Sequence, residues 1–551
     1  MSNVRIFALG GLDENGKNCY VLEVDKEIYV INSGTKIPIS ASHGIDTLIP
    51  NFKYLEDNAS RIKGLFITDV QNESFSALPW LLMMVPNITI YCSDFSIFLI
   101  KERISKYNVG KSNHTLKSIG DQGEKIGSIV VQPIELAGAL PGTLGFNFKT
   151  LDGSVIFMFN FVNGDLGVYG KTDIAKIKQE NPKILSLVMD SGMSNFNGVS
   201  SEHIDIKNLL DDKFNSIKEN ERIIIGSYDH EMSSLQQILD LAKKYNRTVI
   251  TYGRIYHQLL EFLINSNPNL ELPKIVDYKK IKEEKSCVII VSGTVERLYK
   301  RFVRITDDND VYLKINNTDH IVMIAAPVNG LETESTYALD ELARKTPHII
   351  DYTDNEFYRC RPAKQDIFNI IETLKPEYFI PAQGLYRYMI VAVKEAVRAG
   401  LTQNKSIPLQ NGKIANFKDG ELISQKERIA EVGDVIIDGF GIGDISKEVI
   451  YEREVIARDG VIVVSALYDK KTKKLFDHID IKYIGVITSD DREKTDILIE
   501  NTVINIYYDE LKYFAKFSLY NVQDTIRKVV RKKIFKLTDK EPMVVIIFNE
   551  I

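Results

Sequence analysis

Short runs of β-branched and aromatic residues recur along the first part of the chain and alternate with polar segments. They cover residues 5–9, 27–32, 62–68, 88–92 and 129–136. Two further runs, 146–151 and 155–161, flank Asp152-Gly153, a pair typical of a β-hairpin turn. The pattern predicts a β-rich sheet layer with helices.

From about residue 200 the rhythm changes to strand, helix, strand. Apolar runs at 222–227 and 247–252 alternate with amphipathic segments at 233–244 and 255–264. Such alternation is typical of parallel strands joined by crossover helices. It predicts a doubly wound α/β unit in the middle of the chain.

The last part of the chain, from about residue 455, predicts a separate small domain with strands at 461–467 and 543–548. Between them, one face of a predicted helix is apolar, with Ile526, Val529, Val530 and Ile534. The other face is basic, with Arg527, Lys528, Arg531 and Lys532. A basic face of this kind either contacts phosphates or is simply solvated.

Composition places the chain among ordinary folded proteins. Its 551 residues are 44% hydrophobic and 26% charged, which excludes disordered, collagen-like and disulfide-scaffold classes. The net charge of −6 repels nucleic acid, so RNA binding would need a local basic surface. The four cysteines form no C-x-x-C pair, which favours buried free thiols in a reducing compartment.

Two features bear on localisation. The segment 1–9 lacks the charged and apolar regions of a signal peptide. The uncharged stretch 74–93 has the length of a membrane span, but Pro79 and Pro86 interrupt it, so we interpret it as a helix followed by a strand. We therefore expect a cytoplasmic protein without a membrane partner.

Several segments, taken in order, resemble bacterial ribonuclease J. The run 9–18, LGGLDENGKN, is similar to the family's opening L-G-G-L-x-E-x-G-K-N. Further similar segments are 44–52, 326–332, 433–444 and 541–547. The resemblance implies an α/β protein: a metallo-β-lactamase αββα sandwich (1–200 and 366–445), an inserted β-CASP domain (201–365), a linker (446–457) and a C-terminal assembly domain (458–551).

The family holds two zinc ions with a run H-x-H-x-D-H and with later His and Asp residues. In this sequence the corresponding positions are Asp69, Gln71, Glu73, Ser74, Gly138, Asn160 and Gln383. Since no zinc-ligating histidine stands at any of them, we predict neither catalytic residues nor a cofactor. Without a metal to lower the pKa of water from about 15.7 to about 7, the family's hydrolysis should be lost.

The motifs that hold RNA in the family are also changed. Its S-G-H-A-S corresponds to Cys360, Arg361, Pro362, Ala363 and Lys364, and its S-N-x-x-R corresponds to residues 230–234. Two pairs are kept, Asp190-Ser191 and Tyr386-Arg387. We interpret the kept residues as structural hydrogen-bonding groups, while the substrate-binding residues stay unknown.

These observations leave a leading interpretation and two alternatives. The leading one is an inactive ribonuclease J paralogue, a structural or RNA-positioning subunit that assembles with an active paralogue as a hetero-oligomer, or forms a homodimer, in mRNA decay and rRNA maturation. The enzyme alternative is a weak ribonuclease with 5′–3′ exonuclease and endonuclease activity, using Mg²⁺ or Mn²⁺ on Asp69, Glu73 and Asp190 with oxygens of Asn160 and Gln71. The third is a scaffold that does not contact RNA.

Overall fold

A computed structural model describes residues 2–36, 47–107, 109, 113–295, 297–328, 330–353, 360–438, 441–442, 447–486, 492–512 and 518–551. The described residues form two compact units that divide between Val435 and Ile436. The segment 44–46 and most of the glycine-rich segment 439–443, which superficially resembles a dinucleotide-binding loop, lie outside the described residues.

The amino-terminal part of the first unit is rich in strands, as the alternating pattern predicts. Its strands are β1 (Asn3–Gly10), β2 (Cys19–Val24), β3 (Glu27–Ile31), β4 (Thr47–Pro50), β5 (Ile62–Phe66), β6 (Thr89–Cys92), β7 (Thr115–Ser118), β8 (Glu124–Ile126), β9 (Ile129–Glu135), β10 (Leu144–Thr150), β11 (Gly153–Met158) and β12 (Ile184–Asp190). Its helices are α1 (Lys53–Asp57), α2 (Asn72–Phe75), α3 (Leu78–Met84), α4 (Asp94–Ser105) and α5 (Ile174–Glu180). The predicted hairpin is confirmed, because β10 and β11 pair antiparallel up to Thr150 opposite Gly153.

The middle of the first unit is an α/β layer. It contains α6 (Ser200–His203), α7 (Ile206–Ser216), β13 (Ile223–Tyr228), α8 (Met232–Lys244), β14 (Thr248–Tyr252), α9 (Arg254–Ser266), β15 (Ile275–Val276), β16 (Cys287–Gly293), α10 (Leu298–Thr306), β17 (His320–Met323), α11 (Glu332–Lys345) and β18 (Ile349–Asp351). The strands form a parallel sheet in the order β15-β14-β16-β13-β17-β18. The central strands are buried along their length, as expected of a parallel sheet covered by helices on both faces. The predicted doubly wound unit is therefore confirmed.

The chain then returns to the first layer through α12 (Lys364–Leu374), β19 (Tyr378–Ala382), α13 (Tyr386–Arg398), β20 (Ala415–Lys418) and β21 (Glu421–Ser424). Two sheets result, ordered β21-β20-β1-β2-β3-β5-β6-β7 and β19-β12-β11-β10-β9-β8. An aromatic core fills the space between them, in which the Phe66 ring lies 5.0 Å from Tyr91 and 5.1 Å from Phe148. A second core packs the outer face of the latter sheet against α5, α12 and α13. The arrangement is the predicted αββα sandwich.

The second unit begins within β22 (Asp434–Asp438), at Ile436, and includes β23 (Gly441–Ile442), which pairs antiparallel with β22. It contains α14 (Lys447–Asp459), β24 (Val461–Tyr468), β25 (Leu475–Ile484), α15 (Arg492–Leu511), α16 (Leu519–Thr538) and β26 (Met543–Glu550). The strand order is β25-β24-β26, with α15 and α16 contributing to the core. The segment predicted as a linker, 446–457, forms most of α14.

Three sequence predictions about local structure are confirmed. The uncharged stretch 74–93 forms α3 followed by β6, and the described residues contain no helix long and apolar enough to span a membrane. The apolar face of α16 is buried at Ile526, Val530 and Ile534, while Val529, predicted on the same face, is half-buried. All four cysteines are free and buried.

Candidate functional site

The positions that the resemblance assigns to metal ligands come together at one edge of the sandwich. Asp69 follows β5, Asn160 follows β11, Asp190 ends β12 and Gln383 follows β19. Because β11, β12 and β19 are parallel neighbours, their carboxyl ends bring these side chains to the same edge. We call Asp69, Asn160, Asp190, Gln383 and the adjoining Arg361 the central cluster.

Asp69 is 2% exposed and accepts hydrogen bonds on both carboxylate oxygens. Its Oδ2 accepts from the hydroxyls of Thr68 (2.8 Å) and Ser74 (3.0 Å) and from the Asn160 side-chain amide (3.1 Å). Its Oδ1 accepts from the main-chain N–H of Gln71 (2.9 Å). Polar groups of the protein thus satisfy this carboxylate within its own site.

Burial and the neighbouring carboxylate of Glu73 raise the pKa of Asp69, hydrogen-bond donors oppose the shift, and the net value is about 6. The Glu73 side chain lines two adjoining cavities of about 90 and 190 Å³. It contributes negative charge to the cluster while facing open space.

Two side-chain amides continue the network away from Asp69. The Gln383 amide donates to the Asn160 side-chain oxygen over 2.5 Å, and Asn160 in turn donates to Asp69. Both amide-bearing residues have left-handed backbone, with φ of +51° at Asn160 and +53° at Gln383. Asparagine adopts this conformation more readily than glutamine. The conformation turns both side chains inward at the ends of their strands.

Arg361 brings a cation into the cluster. Its Nε lies 2.8 Å from Asp190 Oδ2, and its Nη2 lies 2.8 Å from Asp190 Oδ1 and also donates to the Gln383 carbonyl. The side chains of Arg361 and Asp190 are 7% and 0% exposed. Burial lowers the pKa of Arg361, but Asp190 outweighs it, so the net shift is upward.

The backbone around this ion pair leaves room for the guanidinium and little else. A Cβ at Gly192 would lie 2.2 Å from Arg361 Nη2. The main-chain N–H of Gly192 donates to Asp190 Oδ1 over 2.8 Å, and that of Asn160 donates to Oδ2 over 3.2 Å. Asp190 therefore has both a full-charge and a main-chain partner on each oxygen.

Other predicted site residues lie outside the hydrogen-bonded network. A Cβ at Gly138 would lie 2.2 Å from the Thr143 hydroxyl, so a side chain there would require a different local packing. Ser191 donates from its hydroxyl to the Ala382 carbonyl over 2.8 Å and ties β12 to β19. Ser191 thus has a structural contact.

Apart from Arg361, the residues of the changed RNA-holding motif take no part in the central cluster. The Cys360 thiol lies 3.6 Å from the Ser233 hydroxyl, and burial raises its pKa to about 12. Pro362 and Ala363 are buried, and Lys364 donates to the side chain of Asn197 over 2.8 Å.

The basic face of α16 is partly compensated by acidic residues of the same unit. Lys528 lies 2.7 Å and Arg527 3.6 Å from Asp524, and Arg531 lies 2.6 Å from Glu541. Lys532 is exposed.

The central cluster does not fit the two zinc ions of the resemblance. Its side-chain amides aim N–H groups at Asp69 and at one another, and both oxygens of Asp190 are engaged by Arg361. Nor do Asp69, Glu73 and Asp190 form a ligand set, since over the described ranges no group of three or more His, Cys, Asp and Glu could hold a metal ion. Metal uptake stays a prediction for measurement.

Sequence reasoning located Arg361 in the changed motif but missed its partnership with Asp190. The two residues are 171 positions apart, and Asn160 and Gln383 are 223 apart. No spacing rule links positions at such separations. The one available signal was the simultaneous presence of an arginine in the RNA-holding motif and of a kept Asp at position 190.

Comparison with known proteins supports the architecture. The family model "Ribonuclease J, beta-CASP domain" matches residues 220–342, and "Ribonuclease J C-terminal domain" matches 448–551. A crystal structure of a protein of unknown function from Enterococcus faecalis V583 superposes with a TM-score of 0.52 at 12% identity, covering 76% of this chain and all of that chain, which shows shared fold alone.

Full-length relatives agree with these matches. Ribonuclease J2 of Bacillus subtilis is 25% identical over 557 residues, covering 100% of this chain and 99% of that protein. Ribonuclease J 2 of Staphylococcus aureus is 25% identical over 562 residues, covering 100% and 98%. An uncharacterised protein of Mycoplasma genitalium is 25% identical over 567 residues, covering 99% of each. The chain thus contains regions that match the ribonuclease J β-CASP and C-terminal domains, and over its full length it is similar to ribonuclease J2 proteins.

Proposed function

We propose that this protein is a catalytically inactive ribonuclease J paralogue, acting as a structural or RNA-positioning subunit of a complex with an active ribonuclease J in mRNA decay and rRNA maturation. The observation that carries the proposal is the central cluster, in which ligand positions hydrogen-bond to one another and Arg361 binds Asp190.

The size of the metal's contribution to the rate of hydrolysis supports inactivity. A metal-bound water with a pKa near 7 and metal stabilisation of the developing charge supply several kcal/mol in such hydrolyses. Each ~1.4 kcal/mol corresponds to a factor of ten in rate. Asp69 offers no substitute base, since four donors occupy its oxygens.

A role in positioning RNA draws support from the larger of the two cavities. Lys36, Arg361 and Arg387 line it together with Glu73. Since Glu14 pairs with Lys36 and Asp190 pairs with Arg361, the exposed Arg387 is the cation best placed to meet a phosphate backbone. Lys36 is held by Glu14 at 2.7 Å, and the Arg387 guanidinium lies 4.9 Å from the centre of the Tyr388 ring. Contacts with neighbouring side chains thus hold both cations in place.

The activity test uses protein from a host lacking any active ribonuclease J, because traces of such an enzyme would mimic activity. We expect no hydrolysis of 5′-monophosphorylated RNA with Mg²⁺, Mn²⁺ or Zn²⁺, and no bound metal by elemental analysis. Hydrolysis that needs Mg²⁺ or Mn²⁺, is lost in Asp69→Ala and is kept in the exposed control Asp57→Ala would establish the weak-ribonuclease alternative instead.

The subunit role is tested by association. Mixed with an active ribonuclease J, the protein should elute with it as one complex under conditions where that enzyme itself dimerises. Separate elution would refute the subunit role.

RNA contact is tested on the assembled complex. Arg387→Ala should weaken RNA binding and reduce the slope of log affinity against log salt by about 0.7, the value for one phosphate contact on a single strand. Arg398→Ala, at the far end of α13, is the matched control and should leave both unchanged. If Arg387→Ala leaves the affinity and the salt slope as unchanged as Arg398→Ala does, this cavity does not contact RNA, as the scaffold interpretation holds.

A further inference from the structure

The central cluster concentrates negative charge in the interior of the sandwich edge. Asp69 and Asp190 are buried at 2% and 0% exposure, and Glu73 adds a third carboxylate at the cavity wall. Buried carboxylates are stable in ionised form only with a compensating cation or sufficient hydrogen bonds. The charge balance of this edge therefore depends on what supplies the positive charge.

Arg361 supplies this positive charge at Asp190, whose oxygens also accept main-chain hydrogen bonds. Asp190 Oδ2 accepts hydrogen bonds both from Arg361 Nε and from the main-chain N–H of Asn160, so these two groups share one oxygen. The guanidinium also binds the carbonyl of Gln383 and is attracted by Glu73. One side chain thus contacts two of the strand ends that form the cluster and attracts Glu73 of α2 electrostatically.

We infer that the Arg361 guanidinium takes the place of divalent metal as the positive charge of this centre. It is a cation tethered to the chain, so the centre is complete when the protein folds and requires no metal ion. The inference goes beyond the proposed function and does not rest on it, since a metal-free centre is compatible with any partner or with none.

The inference is tested by thermal unfolding of the full chain with EDTA, with MgCl₂ and with MnCl₂. The wild-type Tm should be the same in all three. Arg361→Ala should lower the Tm. MnCl₂ should recover part of the loss, because the carboxylates left without a compensating cation would then attract a divalent ion. A direct readout is Mn²⁺ bound per chain after gel filtration, expected for Arg361→Ala and absent for the wild type.

Arg222→Ala is the matched control. Arg222 forms a comparable buried bidentate pair with Asp319, at 11% and 1% exposure, in the parallel-sheet layer. Its loss should lower the Tm without recovery by Mn²⁺. Equal recovery in both variants would refute a specific effect at the central cluster.

Two further variants separate charge from hydrogen bonding. Arg361→Lys keeps the cation and should be less destabilised than Arg361→Ala, with no recovery by Mn²⁺. Arg361→Gln keeps a donor but removes the charge, should respond to Mn²⁺, and serves in place of Arg361→Ala if that variant does not fold. A wild type stabilised by Mn²⁺, or uncharged variants that never respond to it, would overturn the inference; the second result would leave Arg361 as an ordinary ion-pair partner. A wild type stabilised by Mn²⁺ would also contradict the expectation that the protein binds no metal, so RNA hydrolysis and partner association are measured separately to decide the proposed function.

Discussion

The substitution Asn160→Asp tests how the central cluster avoids repulsion between like charges. It changes one NH₂ group into an oxygen and leaves the shape of the side chain nearly unchanged. In the native protein that NH₂ donates to Asp69 Oδ2 over 3.1 Å. The variant would therefore place two carboxylates in contact inside a site where both residues are at most 5% exposed.

The magnitude follows from the geometry. Two unit charges at this separation repel by about 5 kcal/mol at an effective dielectric constant of 20. The pair escapes part of this by keeping one proton between the two carboxylates, as like-charged pairs do. The folded state of the variant then holds a proton that its unfolded chain releases. The free energy of unfolding of the variant therefore falls by about 1.4 kcal/mol per pH unit as pH rises.

The comparison with the wild type is cleanest above pH 6. The pKa of Asp69 in the wild type is itself about 6, so below that pH the wild type also binds a proton in the folded state. Urea unfolding in EDTA between about pH 6 and pH 8 should show Asn160→Asp losing about 3 kcal/mol relative to the wild type over this interval. The double variant Asp69→Asn/Asn160→Asp exchanges amide and carboxylate and is the matched control, because it again contains one acid and one donor.

Two results would refute this reasoning. One is an Asn160→Asp protein whose free energy of unfolding runs parallel to that of the wild type from pH 6 to pH 8. The other is a double variant with the same pH dependence as Asn160→Asp, since the effect would then come from burying an acid at position 160 and not from its contact with Asp69.

Three more predictions concern packing and pH. Gly34→Ala should destabilise the fold by about 3 kcal/mol or more in urea unfolding, because a Cβ there would lie 1.6 Å from the Glu73 carbonyl oxygen; Gly120→Ala, with no atom within 4 Å of the added group, should be near neutral. Burial lowers the pKa of His230 to about 4, so the wild type should lose up to about 2 kcal/mol between pH 7 and pH 5 as the unfolded histidine takes up a proton, and His230→Gln should lack that loss. Phe66→Ala should cost about 3–5 kcal/mol by opening a cavity in the aromatic core, and an unchanged denaturation midpoint would contradict the packing described for that ring.

Much of the fold could be predicted from the sequence because its signals are local. The Asp152-Gly153 turn, the strand-helix alternation after residue 200 and the two faces of α16 are all encoded within a few residues of one another. The segment 446–457 is different. Its helix α14 buries Val455 and contacts β26, the last strand of the second unit, which lies far along the chain.

The candidate site could be located from the sequence but not described by it. Motif order identified Asp69, Asn160 and Gln383 as former ligand positions, but an alignment to a family pattern says nothing about what replaces the metal. That depends on contacts across 171 and 223 residues, between side chains whose identities carry no spacing signal. Physical complementarity of a buried acid with a buried base is visible only once the fold brings them together.

The buried thiols can report when each sheet of the first unit opens. Cys19 lies in β2 and Cys92 in β6, whereas Cys287 lies in β16 of the parallel sheet. Burial raises the pKa of these thiols to about 12, about 12 and about 11, so alkylating reagents meet unreactive, inaccessible sulfur until the surrounding sheet separates. Since no cysteine follows Cys360, alkylation is silent for the C-terminal domain. The order in which the peptides containing Cys19 and Cys287 become labelled will thus tell which sheet of the first unit opens first.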